Sequence, residues 1–153
     1  MVDSEIIRKE VPTVPPAPPA SSNRARKVML GNRSESSVER ELRSVLHKSG
    51  LRFRKHMAPL KGLRCKPDIV FPRRRIAVFV DGCFWHSCPQ HRSAPKANSQ
   101  WWRTKLEANV ARDRRNDAAL VHAGWTVLRF WTHQSIEDMA DVVLRAVEVA
   151  DPS

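Results

Sequence analysis

Apolar residues change their spacing several times along the chain, and each change marks a predicted element. Ser36-Ser37-Val38-Glu39 opens a stretch with Val38, Leu42, Val45 and Leu46 on one face, which predicts a helix that Gly50 ends. Leu51-Arg52-Phe53-Arg54 alternates like a strand, and Ile69-Val70-Phe71 follows the loop from Lys61 to Pro67. Beyond the turn Pro72-Arg73-Arg74-Arg75, the run Ile76-Ala77-Val78-Phe79-Val80 is wholly apolar, as expected of a strand buried on both faces. From about Ser99 to Ala123 a long helix is predicted, with Trp102, Leu106, Val110 and Leu120-Val121 near helical spacing and Gly124 as its cap. Trp125 to Trp131 reads as a strand whose two tryptophans belong to the core, and Ser135 to Val149 as a closing helix. Helix, three strands, helix, strand, helix is the order of an α/β domain with a mixed central sheet flanked by helices.

Ahead of this pattern, Val11 to Ala20 holds five prolines and can continue neither a helix nor a sheet ladder. Residues 1–22 are expected to form a disordered tail and 23–150 the domain, entered through a basic arm from Arg24 to Arg33. A chain of 153 residues, 41% of them hydrophobic, supports one modest core. Its 27 Lys and Arg against 16 acids leave a net charge of +11, which favours a polyanionic partner. No apolar run approaches the roughly 20 residues that span a bilayer, so no membrane-spanning segment is expected; the protein is expected to be cytoplasmic and monomeric. Three cysteines cannot all pair, which argues against a disulfide framework and leaves Cys65 a spare thiol.

The buried strand runs directly into Asp81-Gly82-Cys83-Phe84-Trp85-His86-Ser87-Cys88-Pro89-Gln90-His91, a segment too polar for a core and too apolar for an ordinary loop. Cys83, Cys88 and His91 have the spacing of a zinc-binding loop. The fourth ligand is open among His133, His122, His56 and Cys65; His133, just after the last strand, is preferred. His86 is then free to move a proton, with Asp113 on the long helix to orient its ring, although a zinc ligand in place of His91 is its other reading.

A hairpin through Arg73 to Arg75 would set Asp68 beside the Val80 carbonyl and Asp81, a group of oxygens suited to magnesium. Glu39 fits a capping box, and it could hold water at such a metal only if its helix start faced Asp68. Five tryptophans and no tyrosine make the Phe84-Trp85 pair conspicuous in a polar loop, since exposed aromatics in a basic protein can stack on bases or wedge between them. Trp102 lies 11 residues before Asp113, close to three helical turns, so both would project from one helix face.

Pro67-Asp68, the run Phe79 to His86, Trp101-Trp102-Arg103, Asn109 to Asp113 and Gly124 to Leu128 together resemble the very-short-patch (Vsr) mismatch repair endonucleases of bacteria. The resemblance spans about Arg24 to His133. It implies a restriction-endonuclease-like fold that nicks one strand of double-stranded DNA 5′ to the thymine of a T:G mismatch, the lesion left by deaminated 5-methylcytosine. By the same resemblance, Asp68 and the Val80 carbonyl bind catalytic magnesium, Glu39 holds metal-bound water, and His86 with Asp113 handles a proton. Phe84, Trp85 and Trp102 form the wedge, with Met29 pressing from the minor groove, and structural zinc falls on Cys83, Cys88, His91 and His133. Mismatch repair proteins are possible partners. A restriction-type or homing endonuclease of this fold is the alternative, and a zinc-bearing DNA-binding module without catalysis a second.

Overall fold

The computed structural model describes residues 11–30, 35–91 and 95–151. Its elements, in order, are α1 (Asn23–Leu30), α2 (Ser37–Lys48), β1 (Ile69–Phe71), β2 (Ile76–Asp81), α3 (Ser99–His122), β3 (Thr126–Trp131) and α4 (Ile136–Ala150). The three strands form one mixed sheet in the order β1-β2-β3, antiparallel between β1 and β2 and parallel between β2 and β3. A tight turn suffices for the first pairing, whereas the parallel pairing requires a crossover, and α3 supplies it.

Every residue of β2 is buried, which agrees with its unbroken apolar run. Its alternate side chains enter two different cores. Ile76, Val78 and Val80 join Ile69, Phe71 and Phe130, packed against Leu42 and Leu46 of α2 and Met139, Val143 and Val147 of α4. Ala77 and Phe79 face the other way, toward Ala119 and Leu120 of α3 and toward Leu63 and Cys65 of the preceding loop. Three helix ends have a local cause. Ser36 and Ser135 accept from the backbone N–H groups of Glu39 and Asp138, and Gly124 at φ 83° takes the left-handed conformation that stops α3.

The structure departs from the sequence pattern in three places. Leu51 to Arg54 is not a strand: a single bridge joins Arg54 to Val70, through bonds of 2.8 and 2.9 Å. The chain bends at His56, φ 49°, before a ladder can extend. The first part of the basic arm is the helix α1, capped by the Ser22 hydroxyl, which accepts from the Ala25 N–H at 3.1 Å. Residues 11–20 carry no regular structure, yet the tail touches the domain, because the Trp101 indole donates to the Pro15 carbonyl at 2.9 Å.

Candidate active site and metal centre

Pro67 determines what happens at the open end of the hairpin. Ile69 pairs with Val78, so Pro67 stands opposite Val80 in the next pairing position, where it has no N–H to give. The Val80 N–H donates to Asp68 Oδ2 at 2.7 Å. On the other side of β2 the carbonyls of Arg75 and Asp81 accept from Thr126 and Thr132. By alternation the Val80 carbonyl points toward β1, beside Asp68, without a ladder donor. This leaves a carboxylate and a carbonyl together, two hard oxygen donors suited to magnesium.

Burial raises the Asp68 carboxyl above its ordinary range, partly offset by the Val80 N–H, and the charge of Asp81 raises it further. Glu39 is raised by burial and then by the charge of Asp68. The Ser36 hydroxyl and backbone also bond to Glu39, which therefore caps its helix. Buried Arg43 donates from Nη1 to the Asp68 carbonyl at 3.4 Å.

Asp81 does not join Asp68 as a free ligand. The residue is 6% exposed, and both carboxylate oxygens accept from Arg129 Nη1 at 3.0 Å. Arg129 also grips Asp117 through Nε and Nη2 at 2.7 to 2.9 Å and lies 4.0 Å above the Phe79 ring. Neither Arg129 nor Asp117 stood out in the sequence, although a charge inside the apolar strand Val127 to Phe130 signals a buried ion pair.

His86 sits beside this cluster. Its Nδ1 is 2.5 Å from Asp113 Oδ2 and 3.7 Å from Asp81 Oδ1. Burial would lower the imidazole pKa, but the bond to Asp113 and the charge of Asp81 outweigh it and leave the ring above its ordinary value. Asn109, one turn earlier on α3, donates to the Trp85 carbonyl at 3.1 Å. Consecutive residues of the loop, Trp85 and His86, are thus held by side chains four apart on one helix.

Phe84, Trp85 and Trp102 form a triangle with ring centroids 5.2 to 5.8 Å apart, and Trp101 joins at 4.8 Å from Trp102. Phe84 and Trp85 are half-buried, while Trp102 is buried. Trp102 and Asp113 line one cleft of about 1130 Å³, together with His86, Arg103, Arg114 and Trp131. Trp131 is therefore a half-exposed cleft residue instead of a core one, whereas Trp125 packs against the second core. The side chain of Met29, on α1, lies outside the described residues.

At the far end of the same loop the donor atoms of Cys83, Cys88, His91 and His133 all lie within 4.8 Å of one another. Cys83 Sγ is 3.2 Å and Cys88 Sγ 3.8 Å from His133 Nδ1, and Cys88 Sγ is 3.8 Å from His91 Nδ1. A tetrahedral zinc with bonds of about 2.3 Å to sulfur and about 2.0 Å to nitrogen sets sulfur and nitrogen about 3.5 Å apart, so the donor set fits. His86 is turned to Asp113 and stands outside this group. Cys65 does too: it is buried, with its thiol pushed up to about 11 by desolvation.

Residues 20–96 match the family described as DNA mismatch endonuclease Vsr. The chain is 44% identical over 128 residues to the type II nicking enzyme V.NaeI of Lentzea aerocolonigenes, an alignment covering 82% of this chain and 77% of the relative. The chain belongs to the Vsr endonuclease family. It is 42% identical to the type II nicking enzyme V.XorIIP of Xanthomonas oryzae pv. oryzae, over 87% of this chain and 96% of that one. It is 37% identical to the DNA mismatch endonuclease Vsr of Escherichia coli, over 63% of this chain and 61% of the relative. As a Vsr-family protein it is a DNA endonuclease, a hydrolase of phosphodiester bonds. The span matched to the family holds Glu39, Asp68 and His86, and an alignment over 87% of the chain necessarily extends through Trp102 and Asp113. Among the described residues no helix is long and apolar enough to cross a membrane.

Proposed function

We propose that this Vsr-family endonuclease nicks one strand of duplex DNA 5′ to the thymine of a T:G mismatch, by magnesium-dependent hydrolysis on a restriction-endonuclease-like fold. The observation that carries the reading is the grip of α3 on the loop: Asn109 holds Trp85 and Asp113 holds His86. A wedge residue and a proton-transfer residue are thereby kept at constant separation. Mismatch sensing and cutting would then be mechanically tied. The relatives' names add support: they specify nicking, and the family description specifies mismatches.

Asp68 and the Val80 carbonyl would hold magnesium, with Glu39 ordering water beside it. When bound there, the ion supplies positive charge for the negative charge that develops on the phosphate. His86 donates its Nδ1 proton to Asp113, which leaves Nε2 to exchange a proton with the attacking water or the leaving oxygen. Phe84 and Trp85 would enter the duplex beside the mismatch, supported by the buried Trp102 ring that packs against both, with Met29 approaching from α1. Zinc on Cys83, Cys88, His91 and His133 would fix the loop that carries both devices. Arg103 and Arg114, in the same cleft, suit the phosphate backbone.

The test compares otherwise identical duplexes with T:G or T:A at one position, incubated with magnesium or with EDTA. Nicking confined to one strand of the T:G duplex with magnesium is expected. A second reading has its own support, since relatives are named as type II nicking enzymes: a restriction-type nickase indifferent to mismatches. Equal cutting of both duplexes would select it.

A further inference from the structure

Arg129 is the one cation, among the described residues, that contacts three carboxylates of the cleft. Nε and Nη2 clamp Asp117, Nη1 reaches both oxygens of Asp81, and Nη2 stands 3.9 Å from Asp113 Oδ1. The Phe79 ring supports the guanidinium plane from one side. A planar fork held at this many points has one orientation.

Two carboxylates face the same nitrogen of His86. We propose that Arg129 is a positioning residue that decides which of them holds the ring, by engaging both oxygens of Asp81 and leaving Asp113 as the partner. Asp81 borders the cleft but is only 6% exposed, so water reaches little of it. A buried carboxylate deprived of its cation takes the nearest donor, and here that donor is the His86 Nδ1–H, already 3.7 Å away. Asp113, by contrast, sits on α3 next to Asp117, four residues on, with Arg129 drawn across both. Its Oδ1 faces Arg129 and its Oδ2 faces His86, so the same guanidinium orients the partner it selects. Capture by Asp81 would swing the ring about its loop anchor and displace Nε2 from the position set by Asp113. A displacement of about 1 Å at a reacting group is enough to slow a reaction about 10²-fold.

The inference rests on His86 as the proton-transfer group, and the experiment separates the two. Single-turnover nicking and duplex binding are measured for His86→Ala, Arg129→Gln, Arg129→Lys and each Arg129 variant combined with Asp81→Asn, on the duplex the unmodified chain cuts. Arg129→Gln should slow nicking about 10²-fold, with the duplex Kd changed less than about threefold. Adding Asp81→Asn, which replaces the competing carboxylate with a neutral amide, should restore at least about tenfold of the lost rate. Arg129→Lys keeps the charge but not the fork; it should fall about tenfold and be restored by the same second change. This pair carries the test should Arg129→Gln fail to fold. Double variants no faster than their parents, or binding lost in step with rate, would overturn the role of Arg129. Full nicking by His86→Ala would instead overturn the reading of His86.

Discussion

The two faces of the sheet are built from alternate residues of the same strands, yet they do different work. On one face Ile76, Val78 and Val80 pack against apolar side chains of the sheet, α2 and α4. On the other, Ala77 and Phe79 give way to Asp81, and the facing strand offers Arg129 in register with Phe79. The apolar face is tolerant in kind, since any well-fitting hydrophobic set fills it. The charged face is specific, because its bonds run between named atoms and break if a single partner is removed. Changes on the first face should therefore alter how much of the protein is folded. Changes on the second should alter what the folded protein does.

The largest expected effect lies on the charged side. Asp68→Ala should slow nicking about 10³-fold or more, the scale of several kcal/mol of charge stabilisation, while duplex binding and thermal stability hold. A rate per folded molecule that stays unchanged, with a lowered melting temperature, would make Asp68 a structural residue. Next, Leu42→Ala on the apolar face should cost about 3 kcal/mol of stability, read by denaturant titration. Nicking per folded molecule should be unchanged, and a changed rate would dissolve the distinction between the faces. Replacing His133 by Ala should lower the zinc content of the purified protein and its melting temperature; unaltered zinc would place the fourth ligand elsewhere. Trp85→Ala should weaken binding to mismatched duplex by about 1 to 3 kcal/mol, as loss of one stacking partner does. Smallest is Ser36→Ala, worth about 1 kcal/mol of stability through the lost cap, with no change in mismatch selectivity.

Legibility in the sequence follows the same division. The hairpin, the doubly buried strand and the long helix could be read because periodicity reports burial directly. Trp102 and Asp113 could be placed on one face by counting turns. Leu51 to Arg54 misled because alternation implies a strand only where a partner is long enough, and Val70 alone bridges it. The helix α1 was hidden by its charge, although Ser22 already stood in a capping position. Trp131 read as core because tryptophan usually is, and its place at the strand's end, where the cleft opens, depends on tertiary structure. The four Cys and His donors were legible as a set because three share one loop, and only the strand pairing brings His133 to them. Arg129 and Asp117 could not be paired from sequence at all: they are 12 residues apart on different elements, and what unites them is the crossover of α3.

Pro67 has a consequence for how a protein can keep a peptide group in reserve. Unpaired backbone groups at a sheet edge are ordinarily a hazard, open to any extended chain that happens to pass. One imino acid, placed where the ladder would have taken its next rung, creates an edge a single carbonyl wide. A single unpaired carbonyl is too little to recruit a strand. Replacing Pro67 with any residue bearing an N–H would let the sheet claim the Val80 carbonyl for itself.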